Sequence, residues 1–333
     1  MPKNQPAGDS VPRRRELDRA TQIRLADVAR AYFLDGRSKV EIAADFSLTR
    51  FQVAKMLDDA RGYGIVSIEI RDPRNRAAGL EDELAAVLGV QRVEIVDVTN
   101  GDLGDNAERV GIAVMELIRE LVRPGMTVGI SWSRALDSAA RFLPDLPPCN
   151  IVQLAGALQV YGPGFIPRMM AQLSENPRIH TYPISAPLVV DEPSTARDLM
   201  RQPEIADALS LANDLDLAVV AIGAWKANES TVWDKVSQAD RDAGTRAGAV
   251  AEISGRLVGA MGEPIHTDLG QRTIGVTIEQ LANATQVIAV ARGVGRVEAV
   301  VAAVKSNVVS CLVLDSSLAA AILGQAGTET APA

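Results

Sequence analysis

The sequence is poor in the residues from which metal and redox centres are built. Its 333 residues include only two cysteines and two histidines. Cys149 and Cys311 lie far apart, in Pro-flanked and apolar surroundings, which marks them as buried or incidental thiols. His180 and His266 stand alone, so no metal site is expected. Aromatic residues make up 4% of the chain, which leaves the packing to Ala, Val, Ile and Leu. No apolar run has the length that crosses a bilayer, and the N-terminus lacks the apolar core of a secretion signal. A cytoplasmic chain with no membrane partner is the expectation.

Positive charge is also in short supply. The formal net charge is −8, which excludes a uniformly basic nucleic-acid binder. The deficit is uneven, however. Residues 1–76 hold 15 Lys and Arg against 11 Asp and Glu, a net of +4, and the remainder carries −12. A mildly basic head on an acidic body fits a DNA reader joined to a domain with another task. The length suits two domains, and a 47% hydrophobic content permits a sizeable core.

Residues 1–16, rich in Pro, Gly, Ser and charge, read as a disordered arm. Helical periodicity begins near Thr21, with Ile23, Leu25, Val28, Ala29, Tyr32, Phe33 and Leu34 forming an apolar stripe that Gly36 ends. Two capping boxes follow in quick succession. Ser38 with Glu41 opens a helix to about Phe46, and Thr49 with Gln52 opens another from Arg50 to about Arg61. A short helix, a tight turn and a longer helix, braced by a preceding helix, form the helix-turn-helix layout. Val40, Ile42, Ala43 and Phe46 are expected to face Leu48, Val53, Met56 and Leu57. The outward face then presents Arg50, Phe51, Gln52 and Lys55, with Ser38, Lys39 and Thr49 at the helix starts. Arg can fork onto guanine and Gln onto adenine in the major groove. Ile65–Ile70 alternates as a strand would, which closes a head over 17–70, and 71–79 reads as a linker.

From residue 80 to 325, helical and apolar strand-like runs alternate, the pattern of a mostly parallel sheet covered on both faces. Residues 326–333 read as a disordered tail. In open α/β sheets ligands bind beyond the carboxyl ends of the strands. The candidate loops there are Gly129–Arg134, Gln153–Ala157 and Ala291–Arg296. They supply hydroxyls, glycines that allow close backbone approach, and guanidiniums, which together suggest an anion pocket. The polar stretch Lys226–Ser230 between Trp225 and Trp233 reads either as a lid or as a surface loop pinned by two indoles.

These residues resemble the sorbitol/sorbose-operon regulator family, SorC, over about residues 20–325. The resemblance is carried by Leu48–Leu57, Gly129–Arg134, Val152–Gly156, Ala186–Val190 and Ala249–Arg256. It implies an effector domain similar to the glucosamine-phosphate deaminase, ribose-phosphate isomerase and CoA-transferase folds. It also implies a phosphorylated sugar or polyol effector and a homo-oligomer, tetramer or dimer. Ser131, Trp132, Ser133 and Arg134 would hold the phosphate, Gln153 and Glu252 would meet hydroxyls, and Gly156, Gly293 and Arg296 would complete the site. Three departures stand out. Arg292-Gly293-Val294-Gly295-Arg296 replaces a Gly-Gly-x-x-Lys pattern, Ser133 replaces Gly, and the stretch after Gly255 lacks an Asp-containing turn. The expected function is a DNA-binding regulator of a carbohydrate or polyol catabolic operon, gated by a small sugar-like effector, with no catalytic residues and no cofactor. The alternatives are a sugar-phosphate isomerase or deaminase using Glu252 as its base, and a head that serves oligomerisation rather than DNA.

Overall fold

The computed structural model describes residues 18–66, 77–98, 103–158 and 165–329. The chain divides into two compact units, residues 1–74 and 75–333.

The first unit is a three-helix head: α1 (Arg19–Phe33), α2 (Lys39–Asp45) and α3 (Arg50–Gly62). Both capping boxes form. Ser38 and Glu41 exchange side-chain and backbone hydrogen bonds at the start of α2, and Thr49 and Gln52 do so at the start of α3. Each box satisfies backbone N–H groups that a helix start leaves open. Ser47, at φ +53, turns the chain between the two helices, and the Leu48 N–H donates to Ala43 O at 2.8 Å. Leu25, Val28, Ile42, Val53 and Leu57 form the buried core, with Phe46, Leu48, Met56, Ile65 and Val66 packed against it. Three residues of the expected apolar set lie outside the core. Val40 is 63% exposed because Ile42 and Ala43 define the inward stripe of the short α2, and Ile23 (55%) and Leu34 (78%) lie off the buried stripe Leu25-Val28-Ala29 of α1. The expected strand lies mostly outside the described residues; its first two members continue the head core instead.

The second unit starts with α4 (Ala77–Leu88), so the last three residues of the expected linker are helical. The strands are β1 (Arg92–Val96), β2 (Thr127–Ile130), β3 (Cys149–Gln153), β4 (Ile179–Tyr182), β5 (Leu217–Ala224), β6 (Ala249–Ile253), β7 (Arg256–Gly259), β8 (Pro264–Ile265), β9 (Gln286–Ala291) and β10 (Cys311–Asp315). The helices between β1 and β5 are α5 (Leu103–Leu121), α6 (Arg134–Ser138), α7 (Phe165–Ser174), α8 (Pro193–Met200) and α9 (Pro203–Leu211). After β5 come α10 (Thr231–Lys235), α11 (Gln238–Arg246), α12 (Asp268–Arg272), α13 (Ile278–Ala282), α14 (Val297–Lys305) and α15 (Ser316–Glu329). Helix α6 is followed by a separate 3₁₀ turn over Ala140–Phe142.

Strands β1-β10-β9-β5-β2-β3-β4 form one parallel sheet in that order. Successive residues of the central strands alternate between its two faces. Ala218, Val220 and Ile222 of β5 join one buried cluster, and Leu217 and Val219 join the other. Burial on both sides is what makes these strands read as unbroken apolar runs. An antiparallel extension, β6-β7-β8, hangs from the end of β5. Its first hairpin turns on Ser254 (φ +53) and Gly255 (φ +82), a two-residue turn with both central residues left-handed. Arg256, next in line, donates to the carbonyls of Gly270, Thr273, Gly275 and Val276. Both cysteines are buried free thiols.

The chain runs outward from the sheet centre in two directions, β2-β3-β4 on one side and β5-β9-β10 on the other. The boundary between β2 and β5 is therefore the topological switch point, where a crevice opens at the carboxyl ends. Helix α5 packs against α6, the helix that follows β2. A Cβ on its Gly111 would lie 2.1 Å from Ala135 O and 2.6 Å from the Ala139 Cβ. Gly111→Ala should therefore push α5 away from α6 and cost about 1–3 kcal/mol. A urea midpoint unchanged from wild type would show that this contact has slack.

Candidate functional site

A narrow cleft of about 50 Å³, open to solvent, lies at the switch point. Its walls come from the ends of β2, β5 and β9 and from β6. Trp132, Ser133 and Arg134 enter from the β2 end, Glu229 and Ser230 from the β5–α10 loop, and Arg292 and Arg296 from the β9 end. Glu252 closes the floor.

Three guanidiniums thus share one small space. Burial pushes the Arg292 guanidinium down, and the nearby Arg134 charge adds to it. Burial also lowers Arg296, whose Nη1 lies 2.6 Å from Glu229 Oε2. Glu252 faces a different balance. It is fully enclosed, and loss of hydration pushes its carboxyl up to about 7, despite hydrogen bonds from the Gly255 N–H (3.1 Å) and the Ser230 hydroxyl (3.1 Å). Gly223, the register partner of Glu252, leaves room for it: a Cβ there would lie 2.6 Å from Glu252 Oε1. Trp132 contributes a buried indole N–H with no hydrogen-bond partner.

The raised Glu252 carboxyl has a consequence for stability. The folded state keeps a proton that the unfolded chain sheds between pH 4.5 and about 7. Stability must therefore fall as pH rises through that window, by up to about 3 kcal/mol. Urea melts at pH 5 and pH 8 should show this loss in the wild type and a smaller one in Glu252→Gln. Equal pH dependence in the two proteins would place the proton elsewhere.

The structure brings together Trp132, Ser133, Arg134, Glu252 and Arg296 of the expected effector set. The Ser133 hydroxyl is already engaged, accepting from the N–H groups of Ala135 and Leu136 as the cap of α6. The remaining four expected residues do not line the cleft. Ser131 is buried beneath it and accepts from the Ser254 hydroxyl at 3.1 Å. Gln153 donates to Ala155 O at 2.6 Å and accepts from the Ile184 N–H at 3.1 Å, so its amide bonds within the protein. Gly156 permits close chain approach, since a Cβ there would lie 2.5 Å from Pro187 O. Gly293, at φ +87, shapes the turn that carries Arg292 and Arg296, and its N–H donates to the Asp315 carboxylate. Glu229, Ser230 and Gly223 were not among the expected site residues. The mid-strand glycine was the available signal, because such a glycine often marks a close approach. The stretch 226–230 is a surface loop at its exposed end, flanked by Trp225 and Trp233 in edge-to-face contact at 5.1 Å.

On the head, Arg50, Phe51, Gln52 and Lys55 are all exposed. Phe51 is 87% exposed, an unfavourable state for an aromatic ring unless it meets a partner. Gln52 carries a double duty. Its Oε1 accepts from the Thr49 N–H (2.8 Å) and hydroxyl (3.0 Å), so a two-point contact to adenine requires the box to open. Ser38 and Thr49 spend their N–H groups and hydroxyls within their boxes. The Lys39 ammonium lies 5.5 Å from the Tyr32 ring centre.

The sequence family described as "Putative sugar-binding domain" matches residues 72–324. The transcriptional regulator LsrR of Enterobacter sp. (strain 638) is 26% identical over 310 residues, covering 91% of this chain and 93% of that protein. The LsrR of Escherichia coli (strain K12) is 26% identical over 307 residues, covering 90% and 94%. The full-length sorbitol operon regulator SorC of Klebsiella pneumoniae has the same fold, with a TM-score of 0.72 at 21% identity, over 90% of this chain and 98% of that one. A DeoR family regulator from Listeria monocytogenes aligns with a TM-score of 0.67 at 23% identity, over 74% of this chain and all of that one. These relatives support a regulator over a sugar-phosphate enzyme. Among the described residues, no helix is long and apolar enough to cross a membrane. The chain belongs to the SorC family of sugar-binding transcriptional regulators.

Proposed function

We propose that the head binds double-stranded operator DNA of a carbohydrate or polyol operon in the cytoplasm, and that the cleft takes a small, anionic, sugar-like effector. One observation carries the reading. A single chain joins an exposed helix-turn-helix face to a cleft where half-buried Arg292 and Arg296 and an exposed Arg134 converge beside an unpartnered indole N–H. Such a cluster on an otherwise acidic domain is costly without an anion to receive. The buried Trp132 N–H likewise lacks an acceptor, a cost of about 1–3 kcal/mol that an effector oxygen would remove. Glu252 and Ser230, at the cleft and bonded to each other, would meet the effector's hydroxyls.

Helix-turn-helix proteins read two half-sites with paired heads, so the working species is a homo-oligomer, a dimer or the tetramer implied by the family resemblance. Effector binding shifts the balance between head arrangements and so changes operator affinity. The test is a gel-shift comparison of the chain's own promoter region with random DNA, with and without a panel of sugar phosphates. The expected result is promoter-selective binding that falls steeply with salt and changes with one of the ligands. Equal binding to both DNAs under every condition would refute the reading.

A further inference from the structure

We infer that Glu229 is an anion filter: its carboxylate pairs with Arg296 at the cleft, so the site accepts a phosphate-like dianion and turns away a monoanionic carboxylate. The inference rests on the reading of this cleft as the effector site.

Glu229 holds Arg296 at two points. Its Oε2 lies 2.6 Å from Nη1, and its backbone oxygen accepts from Nη2 at 2.7 Å. The same backbone oxygen also accepts from the Ala224 N–H at 3.3 Å. The main chain at Glu229 is therefore tied down, while its carboxylate is held by the Arg296 guanidinium. Gly295 supplies the seat: a Cβ there would lie 2.4 Å from Glu229 Oε1. The glycine thus makes room for the protein's own carboxylate. At the same cleft, no hydrogen bond or ion pair is seen from Arg134 or Arg292 to a carboxylate among the described residues.

The charge balance then sets selectivity. A carboxylate ligand that takes Arg296 replaces one negative charge with another and releases Glu229 to water, with no net electrostatic gain. A dianion brings one charge more and can engage Arg134 and Arg292 while Arg296 changes partner. Charge-assisted bonds of this kind are strong in a partly enclosed site. Removing the Glu229 charge should therefore help both anions, and help the carboxylate proportionally more.

The experiment uses the full chain at pH 8, with inorganic phosphate and acetate as probes at fixed ionic strength. Tryptophan fluorescence reports binding, since Trp132 lines the cleft. Wild type should prefer phosphate. Glu229→Gln should bind acetate about tenfold more tightly and lose most of that preference, a change of about 1.4 kcal/mol. Gly295→Ala should reproduce the effect with Glu229 present, because the added methyl displaces the carboxylate. Thermal melts identify folded variants. An unchanged phosphate-to-acetate ratio in the folded variants overturns the filter. If phosphate binding is nonetheless lost in Arg134→Ala/Arg292→Ala, the effector-site reading survives that result. If neither anion binds wild type or variants, both readings fall.

Discussion

Combined replacement of Arg50 and Lys55 by alanine is expected to weaken operator binding about 100-fold or more, with little effect on folding. Each base-edge or phosphate contact of this kind carries about 1–3 kcal/mol, and both side chains leave the exposed face of α3 within its first two turns. The helix itself is anchored by Val53, Leu57 and Ala60, which are buried on the opposite side. Asp58, further along the exposed face, would repel phosphates, which confines the docking to the N-terminal half. The slope of log affinity against log salt should also become shallower by about one for each lost phosphate contact. Fluorescence anisotropy on operator DNA across a salt series measures both quantities. A control sharpens the reading. Thr49→Ala removes the cap and should cost about 1 kcal/mol of head stability, whereas the double variant should melt like wild type. A double variant that binds operator as tightly as wild type would move the reading surface off α3 and leave the oligomerisation alternative in place.

Arg134→Ala/Arg292→Ala is expected to weaken binding of a phosphorylated effector about 100-fold or more and to abolish its stabilising effect in thermal melts. Truncating a charged partner in an enclosed ion contact costs about 2–5 kcal/mol. A ligand that binds only the folded state stabilises it by mass action, so the melting shift tracks affinity. Arg134 and Arg292 are better choices than Arg296 for this test. Arg296 is tied into the site through Glu229 and the Arg292 carbonyl, so its loss mixes binding with local rearrangement. Arg292 sits beside other cations, so the empty protein should tolerate its removal. A full melting shift in the double variant, with any sugar phosphate that shifts wild type, would place the anion elsewhere.

The head was largely legible because its signals are local. A capping box occupies four consecutive residues, and both boxes form at the expected positions. The errors there concern which apolar residues face inward: Val40 on a seven-residue helix with too few neighbours to settle its direction, and Ile23 and Leu34 toward the two ends of α1. The parallel sheet was legible for a different reason: strands such as 217–224 are buried on both faces and carry no polar interruptions. The antiparallel β6–β8 extension and helices such as α8 and α9 left weaker marks, being short and set by packing rather than by pattern. At the cleft, the expected loops after β2 and β9 come together, but four of the nine expected residues do not line it. Ser131 and Ser133 are two residues apart on one turn, yet one bonds beneath the cleft and the other caps α6. Gln153 looked like a free polar group at a strand end, and its partners come from a distant loop that no local pattern reveals. Glu229 was hidden similarly, because its partner Arg296 is 67 positions away and meets it only through the β5–β9 pairing.

The four carbonyls that receive Arg256 lend that joint a durability different from that of an ion pair. Fixed peptide dipoles do not protonate in the physiological range, and mobile ions hardly screen them at contact distance. The clasp between the hairpin and residues 270–276 should hold in concentrated electrolyte that strips phosphates from the head. One buffer series can thus unload the nucleic acid while the metabolite-binding half keeps its frame, and the two halves can be assayed separately within the intact chain.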